Sequence, residues 1–572
     1  MQIRFKLTQL SPVILSGLLF GCASTPAQVA NAEATVKVPS HELQATPVAA
    51  KPLTGQTFFE LLLAEIAINR GDLGSAASIY GLVSEHESDP AVFERAIALN
   101  QSIGNYKAVS ALADRWVAIE PNSAGPWQAL TVAAMNTGDF DNAIVALKRW
   151  LAVDPEADVS IALPHSRQLT QANASELNTA LVELIPSYPK SHALYFAHAR
   201  LSSLLDSQDN AEGAIQKAIK LKPELTYQLF QYQTFIKDHK VKPATVLIES
   251  LIKRHPTNPQ VGVTYARHLY RFDRTNLKQL RILHSRFAGE PVIARTFARV
   301  AFEQNELDEA TAMFQHLLDQ GFEDEGHYFL GIINLQNNLP DAAQIHFSQV
   351  TAAPYLASAL SEWARMGDSA SHSKLIIALD SARTVDPDQV DLYWKIQASL
   401  EHELGNDHAA IDVYSQALKE QPDNTLYLYE QALLYAYIDN YDALESNLAK
   451  VLTLEPENIN AMNALGYTWA DLDKNLEQAT LYIDRALNDQ PDNPAFMDSK
   501  GWLLYRQGDV SEALSWLSKA YQQLENDEVA AHLAEVLWAL NETDEAQKYY
   551  QKVIELNPQS PFIEKLEQLF ND

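Results

Sequence analysis

Few side chains in this sequence have the types and spacings that catalysis needs. Its 572 residues contain no His-Glu-x-x-His motif, no Gly-rich phosphate loop and no Gly-x-Ser-x-Gly nucleophile elbow. The single cysteine, Cys22, excludes an intramolecular disulfide and any zinc or iron–sulfur cage built from cysteines. His192 and His198 are six residues apart, a spacing that does not place two side chains on one helix face. We therefore predict no enzyme, no cofactor and no metal site.

The charge balance narrows the class of partner. There are 43 basic and 73 acidic side chains, which gives a formal charge of −30. A nucleic-acid-binding protein is expected to have a basic surface, so we predict that nucleic acid is not a partner. Apolar residues make up 47% of the chain and charged residues 20%, which is enough apolar material for a folded core.

Cys22 lies at the end of a segment typical of a targeting signal. Arg4 and Lys6 precede a mostly apolar stretch over 7–20, which is too short to cross a membrane as a helix. The stretch ends in Leu-Phe-Gly-Cys, which resembles a bacterial lipobox. The resemblance implies a lipoprotein signal peptide over 1–21 and acylation of Cys22. Ala23 follows the cysteine where Asp would favour the inner membrane, so the resemblance implies the periplasmic face of the outer membrane.

Two further expectations concern this end of the chain. Residues 22–53 are rich in Ala, Thr, Pro, Val and Gln without a helical pattern, which predicts an extended tether. The alternative to a lipid anchor is an ordinary secretory signal in which Cys22 has no role. Both interpretations take the chain out of the cytoplasm.

Prolines recur along the chain at a nearly constant spacing. The spacing is 33 to 35 residues in each of two series, which are Pro121, Pro155, Pro189, Pro223, Pro256 and Pro291, and then Pro387, Pro422, Pro456 and Pro491. Proline lacks an amide hydrogen and ends helices. The period therefore predicts a repeated helical unit of about 34 residues in which proline follows the second helix.

Small residues recur at three fixed places within each period. Two helices whose axes approach to about 8–10 Å need small side chains where they cross. The clearest examples are Ala143, Ala211, Ala410, Ala479, Ala513 and Ala546 at the first place, Ala218, Ala382, Ala417, Ala486 and Ala520 at the second, and Gly331, Gly466 and Gly501 at the third.

This pattern resembles the tetratricopeptide repeat (TPR), a helix–turn–helix of 34 residues. The copy from Trp394 to Pro422 matches it most closely. The resemblance implies an all-α fold, a TPR superhelical solenoid of roughly 13–15 helix pairs over residues 54–558. The copies over 158–189 and 257–291 keep the pattern least well. Ser560 as N-cap and Pro561 in the first turn predict a short capping helix over 559–572.

Three C-terminal stretches carry a narrower resemblance. They are Asn463-Ala464-Leu465-Gly466-Tyr467, Asp498-Ser499-Lys500-Gly501-Trp502 and 531–540, which begins Ala531-His532-Leu533-Ala534-Glu535. They resemble large TPR lipoproteins of Gram-negative outer membranes. That group includes the lipoprotein adaptor of a periplasmic carboxy-terminal-processing protease. The resemblance implies that the partners are such a protease and the peptidoglycan hydrolases it degrades.

A binding surface is expected where the repeat family has its concave groove. In that family the first helix of each pair lines the groove through positions 2, 5, 9, 12 and 13. By phase, the candidate partner-binding residues are Arg200, Phe230, Arg267, Arg271, Arg295, Arg299, Tyr429 and Tyr437. From Lys253 to Arg299 there are ten Lys or Arg and only two acidic residues, Asp273 and Glu290.

Two interpretations of these residues remain. Arginine binds carboxylates in a two-pronged geometry, so the basic segment could hold an acidic or C-terminal segment of a partner protein. Alternatively, the arginines pair with acidic residues of neighbouring repeats and the tyrosines pack in the core.

The sequence favours a non-enzymatic scaffold that binds periplasmic proteins. Tethering two proteins on one scaffold raises their effective concentration. The first alternative is an assembly factor for an outer-membrane, pilus or exopolysaccharide machine. The second is an enzyme with a TPR extension, which would require a non-repeat domain that the period leaves no room for.

Overall fold

Helices form almost all of the backbone in this protein. The computed structural model describes residues 54–163, 169–367 and 371–571, and within these ranges the chain forms thirty α-helices and no strand. The predicted all-α fold is therefore confirmed. The lipid-anchor prediction at Cys22, the signal peptide over 1–21 and the tether over 22–53 lie outside the described residues.

The helices up to Glu306 form one compact unit. Most of them are 13 or 14 residues long. They are α1 Gly55–Asn69, α2 Leu73–Val83, α3 Pro90–Ser102, α4 Tyr106–Ile119, α5 Ala124–Thr137, α6 Phe140–Val153, α7 Gln171–Leu184, α8 His192–Leu204, α9 Gln208–Leu221, α10 Leu225–Lys237, α11 Val241–Arg254, α12 Pro259–Phe272, α13 Leu277–Arg286 and α14 Pro291–Glu303.

The helices from Leu307 onward form a second compact unit. They are α15 Leu307–Asp319, α16 Glu323–Gln336, α17 Pro340–Phe347, α18 Leu356–Arg365, α19 His372–Val385, α20 Val390–Glu403, α21 Asp407–Glu420, α22 Thr425–Tyr437, α23 Tyr441–Leu454, α24 Ile459–Asp471, α25 Leu476–Asp489, α26 Pro494–Gln507, α27 Val510–Gln523, α28 Asp527–Ala539, α29 Thr543–Leu556 and α30 Phe562–Asn571.

Within each unit, consecutive helices pack as pairs, and each pair packs against the next. The turn inside a pair usually contains one residue in the left-handed region. Asp206, Asp473 and Asn541 take this conformation after α8, α24 and α28, with φ of 55°, 51° and 63°. Asp and Asn tolerate a left-handed backbone better than most residues. Repetition of one turn keeps the helix pairs similar along the chain.

The predicted small residues lie where the two helices of a pair approach most closely. Gly331 faces the ring of Phe347, Gly466 faces Ile483, and Gly501 faces Leu517. In each case a Cβ atom on the glycine would lie 2.9 Å or less from the facing side chain. The alanines at the other two places are buried as well. The spacing of small residues therefore predicted the helix contacts correctly.

The prolines behave as predicted at most positions. Pro223, Pro422, Pro456 and Pro491 each follow the end of a second helix by two residues. Pro291 is different, because it is the first residue of α14. Proline suits that position since the amide hydrogen it lacks would have no partner within the helix.

One of the two weak repeats departs from the pattern. A 3-10 turn over Val159–Ala162 stands where the first helix of the repeat over 158–189 was expected, and only α7 follows it. The repeat over 257–291 forms both of its helices, α12 and α13. Among the described residues, no helix combines the length and apolar character needed to cross a membrane.

The C-terminal end of the second unit is covered by α30. Leu566 of this helix is buried, and Phe562, Leu569 and Phe570 pack against the preceding pair. The Ser560 hydroxyl accepts a hydrogen bond from the Phe562 amide at 3.4 Å. The helix covers an apolar surface that would otherwise end the stack in solvent.

Two glycine substitutions test the requirement for close helix approach. At Gly262 a Cβ would lie 2.6 Å from the ring of Phe287, whereas at Gly213 there is open space. We expect Gly262→Ala to lower the free energy of unfolding by about 1–3 kcal/mol because the core is overpacked. Gly213→Ala should raise it by about 0.5–1 kcal/mol because alanine favours the helix.

Urea unfolding followed by circular dichroism at 222 nm measures both effects within the same unit of the chain. Equal stability of the two variants would contradict the close approach at Gly262.

Candidate functional site

Four polar side chains meet in the interior of the C-terminal repeats. Tyr467 lies on α24, Asp498 on α26, and Glu528 and His532 lie one turn apart on α28. We call these four residues the His532 cluster. His532 is 2% exposed and Asp498 is 6% exposed, whereas Glu528 is only partly buried.

The side chains of the His532 cluster form a continuous chain of hydrogen bonds. Nδ1 of His532 lies 2.9 Å from Oδ1 of Asp498. On the other side of the ring, Nε2 lies 3.3 Å from the Tyr467 hydroxyl. That hydroxyl donates to Oε1 of Glu528 at 2.9 Å. The chain of contacts joins three helix pairs through side chains alone.

The repeat register explains why these residues meet. Asp498 and His532 are 34 residues apart, so they occupy the same place in two consecutive repeats. The helices α24, α26 and α28 are the first helices of three successive pairs, and each contacts the next. Glu528 and His532 are four residues apart on α28 and therefore share one face of that helix.

Aromatic rings enclose the imidazole. The ring of Trp502 stacks on the imidazole of His532 with centroids 4.2 Å apart. The ring of Phe562 meets the same imidazole edge-on. The indole nitrogen of Trp502 donates to Oδ1 of Asp471 at 3.1 Å. Nζ of Lys565 lies over the Trp502 ring and pairs with Glu535 at 2.8 Å.

Burial and mutual repulsion perturb the titration of the cluster. Burial and the charge of Asp498 raise the pKa of Glu528 to about 7. Burial acts to lower the pKa of His532, but the Asp498 and Glu528 carboxylates outweigh it and raise that pKa. Burial also raises the pKa of Tyr467 well above its usual value. The folded protein therefore favours the protonated forms of Glu528 and His532 more than water does.

Two predicted groove residues in the first unit, Arg200 and Phe230, contact their neighbours. Nη1 of Arg200 donates to the Ser160 carbonyl at 3.0 Å, so this guanidinium is tied to the 3-10 turn. Phe230 is partly buried and meets Phe196 edge-on, with centroids 5.5 Å apart. Both residues have a packing role in addition to any surface they present.

The four arginines of α12 and α14 form two pairs. Arg267 and Arg271 lie one turn apart on α12, and Arg295 and Arg299 lie one turn apart on α14, which contacts α12. Arg267 and Arg271 are exposed, and neither has an acidic partner among the described residues. Arg271 stacks on Phe272, 5.1 Å from the ring centroid. By contrast, the nearby Arg274 pairs with Glu303 at 3.1 Å.

The predicted tyrosines of α22 differ in exposure. Tyr437 is 7% exposed, and its ring lies 4.3 Å from that of His402, so it belongs to the core of this repeat. Tyr429 is partly buried, and burial raises its pKa to about 12. Neither hydroxyl is part of the His532 cluster.

Tyr467, Asp498 and His532 lie in the three C-terminal stretches that carry the narrower resemblance, but the sequence alone does not show that they form one site. Glu528 lies outside these stretches. The 34-residue spacing of Asp498 and His532 was the available signal, because residues one period apart lie side by side in stacked repeats. Motifs such as His-Glu-x-x-His lie within one helix, so they cannot reveal a site whose donors come from different repeats.

Comparison with known families identifies the repeat. Models of the tetratricopeptide repeat match residues 269–501 and 504–568, which together make up more than half of the chain. The chain belongs to the tetratricopeptide-repeat proteins. Tyr467 and Asp498 lie in the first matched segment, and Glu528 and His532 lie in the second.

One known TPR protein is similar in sequence to this chain over nearly the whole length of both proteins. The TPR repeat-containing protein PA4667 of Pseudomonas aeruginosa is 25% identical over 522 residues, which cover 91% of this chain and 88% of that protein.

Solved structures of TPR proteins also match. One from Parabacteroides merdae is 17% identical and covers 44% of this chain and 99% of its own, with a TM-score of 0.36. Yeast Tom70 is 15% identical and covers 90% of this chain and 95% of its own, with a TM-score of 0.33.

The pKa of Glu528 predicts a pH dependence of stability for this TPR protein. Its pKa is raised on folding, so the folded state binds more protons than the unfolded state between about pH 4.5 and 7. The contribution of Glu528 to the free energy of unfolding therefore falls as the pH rises through that window. Glu528→Gln cannot ionise at this position, so the variant lacks this dependence on pH. We expect the melting temperature of the wild type, relative to Glu528→Gln, to fall by about 2–4 °C from pH 5 to pH 8.

Thermal unfolding in the presence of EDTA measures this difference. Glu477→Gln is the matched control, because Glu477 is exposed on α25 and lies outside the His532 cluster. A pH-independent difference for Glu528→Gln would show that Glu528 titrates normally.

Proposed function

We propose that this TPR protein is a non-enzymatic scaffold that binds protein partners through the first helices of its repeats. The exposed pair Arg267 and Arg271 is the observation that carries the proposal. Two guanidinium groups on one helix face, without carboxylate partners among the described residues, suit an acidic segment or a terminal carboxylate of another protein. A pair held only for internal stability would be expected to face acidic side chains, as Arg274 does.

The finer proposal names the partners and the location. We propose that the scaffold lies at the periplasmic face of the outer membrane, held by lipid on Cys22. There it brings together a carboxy-terminal-processing protease and its peptidoglycan hydrolase substrates. The resemblance of the C-terminal stretches supports this choice of partners, and the Leu-Phe-Gly-Cys sequence supports the anchor. The gain in rate would come from effective concentration, since both proteins are held on one chain.

Charge reversal tests the arginine pair. We expect Arg267→Glu with Arg271→Glu to reduce capture of the protease or hydrolase at least tenfold, because close like charges oppose the partner's carboxylates. Stability should change by less than about 0.5 kcal/mol per site since both side chains are exposed. Affinity purification from cells with quantitative mass spectrometry measures the capture.

A control variant has the same change in charge elsewhere. Lys217→Glu with Lys220→Glu alters two exposed residues of α9, the second helix of its pair. It should retain the partners. If both double variants and the wild type capture the partners equally, Arg267 and Arg271 are not part of the binding surface.

The anchor has its own test. Each buried CH₂ of an acyl chain contributes about 0.8 kcal/mol to membrane binding, so a multiply acylated cysteine holds firmly. We expect Cys22→Ser to move the protein from the outer-membrane fraction to the soluble periplasm and to abolish labelling by palmitate. Continued sedimentation of Cys22→Ser with outer membranes would overturn the lipid anchor.

A further inference from the structure

The surroundings of His532 contain more buried negative charge than positive charge. The carboxyl groups of Asp471, Asp498 and Glu528 lie around the imidazole. The two cations beside Trp502, Lys565 and Arg506, are already paired with Glu535 and Asp473. Oδ2 of Asp471 is buried and has no hydrogen-bond partner among the described residues. Buried charges are normally paired or bound to a metal ion, because an uncompensated charge is costly to remove from water. A cation would relieve this imbalance.

The donor atoms are close enough to share one ion. One donor atom from each of Asp498, Glu528 and His532 lies within 4.8 Å of the others. In a tetrahedral site with bonds of 2.0–2.1 Å, ligand atoms stand about 3.3 Å apart. The imidazole nitrogen and Asp498 are already 2.9 Å apart. Glu528 is the donor farther from this pair, and side-chain movements of up to about 1.5 Å would bring all three donor atoms to tetrahedral spacing.

The types of donor select the kind of ion. One imidazole nitrogen with two carboxylate oxygens suits first-row divalent cations such as Zn²⁺ or Mn²⁺, whereas Mg²⁺ and Ca²⁺ prefer oxygen alone. The Tyr467 hydroxyl, 2.9 Å from Oε1 of Glu528, can orient that carboxylate. We propose that Asp498, Glu528 and His532 bind one divalent first-row metal ion in the C-terminal repeats.

The surroundings hold the imidazole in place. Stacking on Trp502 fixes the plane of the ring, and three protein ligands leave one position of a tetrahedral site for water. Glu528 is the least buried of the three ligands and gives a path from solvent. Because the ligands come from α26 and α28, the ion would hold two successive helix pairs together. This role does not depend on the binding of a partner protein at Arg267 and Arg271.

Zinc binding by the full-length chain tests the site. Protein freed of metal with EDTA and then of EDTA is titrated with Zn²⁺ in competition with a chromophoric chelator at pH 7.5 and 150 mM NaCl. We expect one tight equivalent per chain and a rise in melting temperature on adding Zn²⁺. Glu528→Gln and His532→Gln each remove a direct ligand, so each should weaken that equivalent by at least the roughly 10–100-fold that loss of an outer contact costs.

The chain offers a matched histidine–carboxylate pair as control. Nδ1 of His402 lies 2.5 Å from Oδ1 of Asp407, and this pair is not part of a three-donor group among the described residues. His402→Gln should therefore leave the tight equivalent unchanged. Circular dichroism establishes that each variant is folded.

Three outcomes would overturn the metal site. They are the lack of a tight equivalent in the wild type, unchanged binding by folded Glu528→Gln, and loss of the equivalent in His402→Gln alone. The wild-type measurement decides the matter even if a variant fails to fold.

Discussion

The structure depends on the close approach of helices that are too short to be stable alone. Most are 13 or 14 residues long, near the length at which an isolated helix is marginal in water. Each must therefore bury a face against its neighbours, and where two axes cross most closely even a Cβ atom is too large. Gly331, Gly466 and Gly501 meet this limit within their own pairs. Because the same close contact recurs in successive helix pairs, it sets how the helices pack throughout each unit.

Stacking in register has a chemical consequence. Residues about one period apart become neighbours, so a polar side chain can meet a partner from the next repeat. Asp498 and His532 meet in this way, as do Lys395 and Glu430, whose side chains pair at 2.6 Å. Hydrogen-bonded contacts between repeats can hold successive pairs in a fixed orientation, which apolar packing alone specifies less strictly. The His532 cluster extends this principle over three pairs.

The two sets of polar residues differ in their physical position. Arg267 and Arg271 are exposed, so water solvates their charge at little cost until a partner arrives. Asp498 and His532 are buried, so their charges must be compensated inside the protein by protons, hydrogen bonds or a cation. The two arginines are therefore suited to reversible binding of a partner at the surface. Asp498 and His532 are suited to holding their own helices in a fixed position.

The class of fold follows from the amino-acid sequence, because proline and small residues every 34 positions leave few other ways to bury helix faces. The sequence also placed the close contacts at Gly331, Gly466 and Gly501 correctly. It did not predict the 3-10 turn over Val159–Ala162 or the place of Pro291 at the start of α14, since one repeat can depart from the pattern without breaking the period. The packing of the helices was needed to show that Tyr437 is buried. It was also needed to show that the four residues of the His532 cluster share one interior site. A helical pattern gives the face on which a side chain lies, whereas its neighbours depend on how three helix pairs stack.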